Sequence, residues 1–181
     1  MQIRSTSGIL GSVKHEYRSF EYEKKAARII KEVVHITIAT VSPEGKPWNT
    51  PVHSAFDSDL NFYWASAKDS THSRNIRLQP DVFLAIYDST ALGGTGSAVY
   101  FEARAEELHK REEILVAKKF TQERIKHTTE SAVDDFMGDS IRRVYRAVIN
   151  RGWTNDVEVL PDKQLRQYRV EVDLRRLRGL L

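Results

Sequence analysis

Ser66, Lys68, Ser70, Thr71 and His72 crowd together in the run Leu60 to Pro80, LNFYWASAKDSTHSRNIRLQP, and offer hydroxyls, a cation and an imidazole to an anion. Backbone N–H groups at the start of a helix bind phosphate, and hydroxyls beside them add further donors. Hydrogen bonds from Lys68 or a protonated His72 would be roughly twice as strong as neutral ones. The elements needed to present these groups are legible nearby. Leu60, Phe62 and Trp64 alternate with Asn61, Tyr63 and Ala65, the period of a half-buried strand ending at Ser66. Ser70 or Thr71 then caps a short helix that runs through Asn75 to Leu78 and stops before Pro80. Its first-turn N–H groups point back toward Ser66, Lys68 and His72.

Other chemistries find less support. The chain has no cysteine, which excludes disulfides, thiolate metal sites and cysteine nucleophiles. Its six histidines, His15, His35, His53, His72, His109 and His127, are scattered without a recognised metal spacing, so no metal site is expected. His35 and His53 read as hydrogen-bonded sheet residues. No nucleophile elbow supports a Ser, His and Asp triad. Gly93, Gly94 and Gly96 have no Lys-Ser or Lys-Thr pair after them and read as a hairpin connection, and Asp134 and Asp135 read as a solvated helix face.

At 181 residues, 40% hydrophobic and 29% charged, the chain suits one globular domain that folds without metal or disulfide support. No run approaches the roughly 20 apolar residues of a bilayer span, and the expectation is a cytoplasmic protein with no membrane partner. The formal charge is +3, with Arg166, Arg169, Arg175, Arg176 and Arg178 gathered near the C-terminus. These interleave with Tyr168, Val170, Val172 and Leu174 in a strand-like alternation rather than a groove-entering helix, so nucleic acid is not the expected partner.

Tyr22, Ala26, Ile29, Ile30 and Val33 form an apolar helical stripe, with Ser19 as the predicted N-cap. His35 to Ser42 and Pro47 to Phe56 read as a hairpin about Pro43-Glu44-Gly45-Lys46. Pro47 and Pro51 predict an unpaired edge or a bulge near Pro51 in the return strand. Val82 to Tyr87 is nearly all apolar, as in a strand covered on both faces, and Ala98 to Ala105 alternates. A helix follows over Glu106 to His127, with Val116 and Phe120 one turn apart, then a second short helix over Ser131 to Met137. Strands are predicted again at Ile141 to Val148, Gly152 to Leu160 and Leu165 to Leu174. Seven or eight strands with helices inserted in two places favour an α+β, mainly β, antiparallel barrel.

Three pieces in this order, ITIATVSPEGKPWNTPV, LNFYWASAKDSTHSRNIRLQP, and VFLAIYDS with AVYFEARAEEL, resemble the flavin-binding split-barrel family related to pyridoxamine 5′-phosphate oxidase. The resemblance covers about Ala26 to Leu108, with a weaker echo at the Trp153 strand. It implies an antiparallel split β-barrel with flanking helices, residues 1–18 as a tail and 19–181 as one flavin mononucleotide (FMN)-binding domain. It also implies a homodimer with flavin at the subunit interface, acting as an oxidoreductase on a small-molecule substrate. Ala65 and Ser66 take the strand-end positions that meet the flavin tail. Thr71 and His72 take the basic positions of the family's Ser-Arg-Lys step, which leaves Lys68 to supply charge. Asn49, Thr50 and Val52 line the isoalloxazine and Trp48 forms a wall, while Trp153 with Asn155 and Asp156 falls near the flavin of the partner subunit. For Trp48, Trp64 and Trp153, core packing competes with flavin contact. The C-terminal VEVDLRRLRGLL lacks the closing motif of the true oxidase, so pyridoxamine phosphate is not the implied substrate. The alternatives are a deazaflavin-dependent reductase and a flavin or haem carrier or sensor without turnover.

Overall fold

Strands β1 (His35–Val41), β2 (Pro47–His53), β3 (Ala55–Phe56), β4 (Phe62–Ala67), β5 (Asp81–Tyr87), β6 (Ala98–Glu107), β7 (Arg142–Val159) and β8 (Leu165–Glu171) form one antiparallel sheet. The coordinates are a computed structural model describing residues 7–92, 96–125 and 131–181. The strand order is β2-β1-β5-β6-β7-β4-β3, with β8 also on β7. β1 pairs with β2 in unbroken register from His35↔His53 to Val41↔Pro47. The two prolines of β2 therefore sit on an edge strand rather than at a bulge, because an edge position does not require their missing N–H.

The sheet closes around side chains that alternate as the sequence predicts. Ile36, Ile38, Leu84, Ile86, Val99, Phe101, Phe62 and Trp64 point inward, and α1 (Ser7–Glu32) lays Ala26, Ile29 and Ile30 against them. Full burial of each large aliphatic side chain contributes about 1.5–3 kcal/mol before ordering costs. Trp64 is wholly buried and stacks on Tyr145 at 5.6 Å between ring centroids, which makes it a core residue. A second, smaller core lies outside β4. There Tyr63 and Val144 pack with Ile114 and Ala117 of α3 (Arg111–Arg124) and with Val133 and Phe136 of a 3-10 turn.

Several boundaries differ from the sequence expectation. Ser19 lies inside α1, which already runs from Ser7, so it is not an N-cap. The two strands predicted around residues 150 and 151 are one strand, β7. Its register against β6 shifts between Glu102 and Ala103, where Arg151 faces Glu102 and Ile149 faces Ala103. Asn150 is the extra residue of this bulge, and the bend lets the first half of β7 pair with β4 and the second with β8. The last strand ends at Glu171 instead of Leu174. Asp173 accepts hydrogen bonds from the N–H groups of Arg175 and Arg176 and starts α4 (Leu174–Arg178). In α3 the buried residues are Ile114 and Ala117, while Val116 is exposed. Only one face of β5 is covered in the single chain: Val82, Leu84 and Ile86 are buried, Phe83 and Ala85 half-buried and Tyr87 exposed. Gly93, Gly94 and His127 lie outside the described residues. Among the described residues no helix is long and apolar enough to cross a membrane.

Candidate functional site

The open side of β2 and the second half of β4 face the same space, because β3 pairs only with Phe62 and Tyr63 and leaves the far edge of Ala65 and Ser66 free. A cavity of about 500 Å3 occupies this split, within the roughly 300–1,000 Å3 of small-molecule and cofactor sites. Thr50, Val52, Ala65, Ser66 and His72 line it, together with Pro51 and His53. Five of the ten residues singled out from sequence thus converge on one cavity. An edge strand also presents alternate backbone N–H and C=O groups to whatever enters.

Helix α2 (Thr71–Leu78) fixes the polar corner. Ser70 is its N-cap, and its hydroxyl oxygen accepts from the N–H of Ser73 at 3.4 Å and donates to Ser73 Oγ at 2.8 Å. His72, 6% exposed, is held with its Nε2 at 2.9 Å from Ser66 Oγ. That contact joins the end of β4 to the first turn of α2. One turn further along the buried face, Asn75 Nδ2 donates to Thr40 Oγ1 at 3.0 Å, which anchors α2 to β1. Desolvation pushes the His72 imidazole below its ordinary pKa, so in the ligand-free chain it is neutral at pH 7. His53 is also depressed, by burial and then by His35, whose ring lies 4.0 Å away between centroids.

The other expected residues stand outside the cavity lining. Lys68 directs its ammonium to the carbonyl of Asp139 at 3.4 Å. Thr71 is the half-buried first residue of α2. Trp48 is half-exposed on β2 and donates its indole N–H to Thr50 Oγ1 at 2.8 Å, and Asn49 beside it is exposed. Trp153 lies on the outer face of the sheet, 6.3 Å from Phe83 and beneath the Arg151 guanidinium. Asn155 and Asp156 serve local structure, Asn155 bonding the β6 start and Asp156 accepting from Tyr22 and Tyr168.

In their place the cavity gains residues no motif announced: Lys118, Thr121, Gln122 and Ile125 from the α3 region, Ser131 and Phe136 from beyond it, and Arg142 at the start of β7. The spacing of Lys118, Thr121, Gln122 and Ile125 marks one helix face. That spacing was readable, but which surface the face would meet was not. Among the described residues the lining holds two strong cations, several hydroxyls and imidazoles, and no carboxylate. Such a donor set suits an anionic ligand with an apolar body against Val52, Ala65 and Phe136.

Comparison with known proteins agrees with this architecture. The family model described as pyridoxamine 5′-phosphate oxidase matches residues 22–156. No curated protein matches the chain. Among solved structures, a heme binding protein from Mycobacterium smegmatis is 17% identical, with a TM-score of 0.63 over 87% of this chain and 60% of that one. A FAD-binding protein from Mesorhizobium loti is 15% identical, with a TM-score of 0.54 over 70% of this chain and 88% of that one. An F420 reductase is 16% identical, with a TM-score of 0.53 over 69% of this chain and 93% of that one. At these identities the likeness establishes the fold. With its antiparallel split barrel and a family match across most of its length, the chain belongs to the pyridoxamine 5′-phosphate oxidase-like family.

Proposed function

We propose that this protein binds FMN non-covalently in the split between β2 and β4 and acts as an oxidoreductase on a small molecule. The observation that carries the reading is the convergence of Thr50, Val52, Ala65, Ser66 and His72 on one cavity whose lining, among the described residues, holds no carboxylate. The donor chemistry fits the cofactor: hydroxyls and the Ser66–His72 corner face the phosphate, and Thr50, Val52 and the open edge of β2 hold the ring system. Bound flavin supplies hydride and electron transfer. The chain's residues bind and orient it, and none is assigned as a general acid or base.

A second copy of the chain completes this reading. Phe83, Tyr100 and Trp153 lie side by side, half-buried, on the outer sheet face, and Val41, Tyr87 and Trp48 are exposed. Covering such a face with a twin removes apolar surface from water. Trp48, Asn49 and Trp153 are assigned to this seam, with residues 19–181 acting as one unit in the cytoplasm. Thr71 contributes its backbone N–H to the phosphate corner. A deazaflavin or a haem in the same cavity is the second reading, supported by the F420 reductase and heme binding protein likenesses.

An absorbance spectrum of the isolated protein separates these cofactors. Titration with FMN should quench its fluorescence, and a nicotinamide nucleotide should bleach the bound flavin anaerobically. Protein that stays colourless and leaves FMN fluorescence unchanged refutes the flavin reading, while binding without turnover makes the protein a carrier.

A further inference from the structure

The short helix α2 and the turn before it, which should supply charge to a bound phosphate, turn their cations away. Lys68 reaches the Asp139 carbonyl, Arg74 the Asp69 carbonyl and Arg77 the Lys68 carbonyl, and none of the three lines the cavity. His72 is buried and neutral in the ligand-free chain. Hydroxyls and backbone N–H groups alone leave a dianion's charge uncompensated in a partly desolvated cavity, which is costly.

We propose that Lys118 and Arg142 are the cations that hold a phosphomonoester dianion in this cavity. The identity of that ester as FMN rests on the function proposed above. Both residues line the cavity with Ser66 and His72. Arg142 faces Ala67 across the β4–β7 ladder, one step from the Ser66↔Arg143 pair, so the fold sets it beside the end of the strand that carries the anion corner. It forms no ion pair among the described residues. Phe136 gives the two cations a common platform: its ring, 4% exposed, has Lys118 Nζ at 5.0 Å and the Arg142 guanidinium carbon at 4.6 Å from its centroid. Lys118 is further steadied by hydrogen bonds to Ser131, at 2.5 Å to the carbonyl and 3.2 Å to the hydroxyl. Cations already parked against a fixed aromatic lose less side-chain freedom when a ligand arrives. The clamp has thus moved from the helix after β4 to α3 and the start of β7.

The experiment measures affinities of wild type, Lys118→Gln and Arg142→Gln for FMN and for riboflavin, which lacks the phosphate. Each variant should lose roughly tenfold or more in FMN affinity, the scale of a hydrogen bond to a charged group, with riboflavin affinity unchanged as the control for folding. Arg142→Lys, which keeps the charge, should recover part of the loss. Unchanged FMN preference in both variants, or a tenfold loss on Lys68→Ala instead, overturns the proposal and leaves flavin binding standing. Arg142 is exposed and in no ion pair among the described residues, so Arg142→Gln decides alone should Lys118→Gln fold poorly. If wild type binds no flavin, the function proposed above fails, and inorganic phosphate becomes the probe. Phosphate that raises the unfolding temperature of wild type but not of Arg142→Gln sustains the cation assignment, and no effect on wild type overturns it.

Discussion

Replacing Arg143 by Met should remove about 3 kcal/mol of stability, because it strands a carboxylate in a place water barely reaches. Arg143 Nε lies 3.0 Å from Glu107 Oε1, with the two side chains 11% and 9% exposed. Its guanidinium also donates to the carbonyls of Ser140 at 2.6 Å, Arg142 at 2.7 Å and Gly138 at 2.6 Å, which ties down the turn leading into β7. Removing one member of a buried pair costs about 3–5 kcal/mol. The lower end is expected here, since Tyr145 still offers its hydroxyl to Glu107 at 3.3 Å and Met fills the volume of the lost stem. With a urea slope of about 2 kcal/mol per molar, the unfolding midpoint should fall by about 1.5 M. The double variant Arg143→Met with Glu107→Leu should be more stable than Arg143→Met alone, because it removes the stranded charge. A loss below about 1 kcal/mol, or a double variant no better than the single one, would refute the reasoning. Because the same guanidinium shapes the turn that presents Arg142, FMN affinity should weaken along with stability.

Two further outcomes are expected. In Gly152→Ala the new Cβ would stand 2.7 Å from Cε1 and 2.8 Å from Cδ1 of Phe101, which is fully buried, and 3.2 Å from Val172 Cγ2. Overpacking of this kind costs about 1–3 kcal/mol, read as a lower thermal midpoint, and an unchanged midpoint would show that the ring can yield. Burial holds the His72 pKa below its ordinary value of about 6.5, so the unfolded chain binds a proton that the folded chain resists. That contribution to stability is intact above about pH 7 and is lost as pH falls from the unfolded value through the lower folded one. His72→Gln should therefore flatten the fall of the urea midpoint between about pH 7 and 5; identical slopes in the two proteins would contradict it.

Much of the barrel was legible because a half-buried strand must alternate. Ile36, Ile38 and Thr40 inward against Thr37, Ala39 and Val41 outward is a local pattern, as is the stripe Ala26, Ile29, Ile30 on α1. Ser70 as a helix cap and Pro80 as a stop are local too. Elements broke where a longer-range contact overrode the pattern. Asn150-Arg151 falls in the gap between two predicted strands, yet β6 pairs with β7 before and after this step and carries the chain through it as a bulge. Val116 looks like a partner for Phe120, but α3 turns Ile114 and Ala117 to the core instead.

The candidate site divides along the same line. Ser66, Ser70 and His72 sit within a few residues of one another, so their order along the chain already brings a strand end, a capped helix and their polar groups into one corner. The residue pattern also sets the alternating strands that put Thr50 and Val52 on an edge. Which cations look into the split depends on long-range packing. Lys68 is near His72 in the chain but stands outside the cavity lining, whereas Lys118 and Arg142 are distant in the chain and reach the cavity because β4 pairs with β7 and α3 packs over both. Local hydrogen bonding and periodicity are written into neighbouring residues; the direction of a long flexible cation depends on what the rest of the fold sets within its reach.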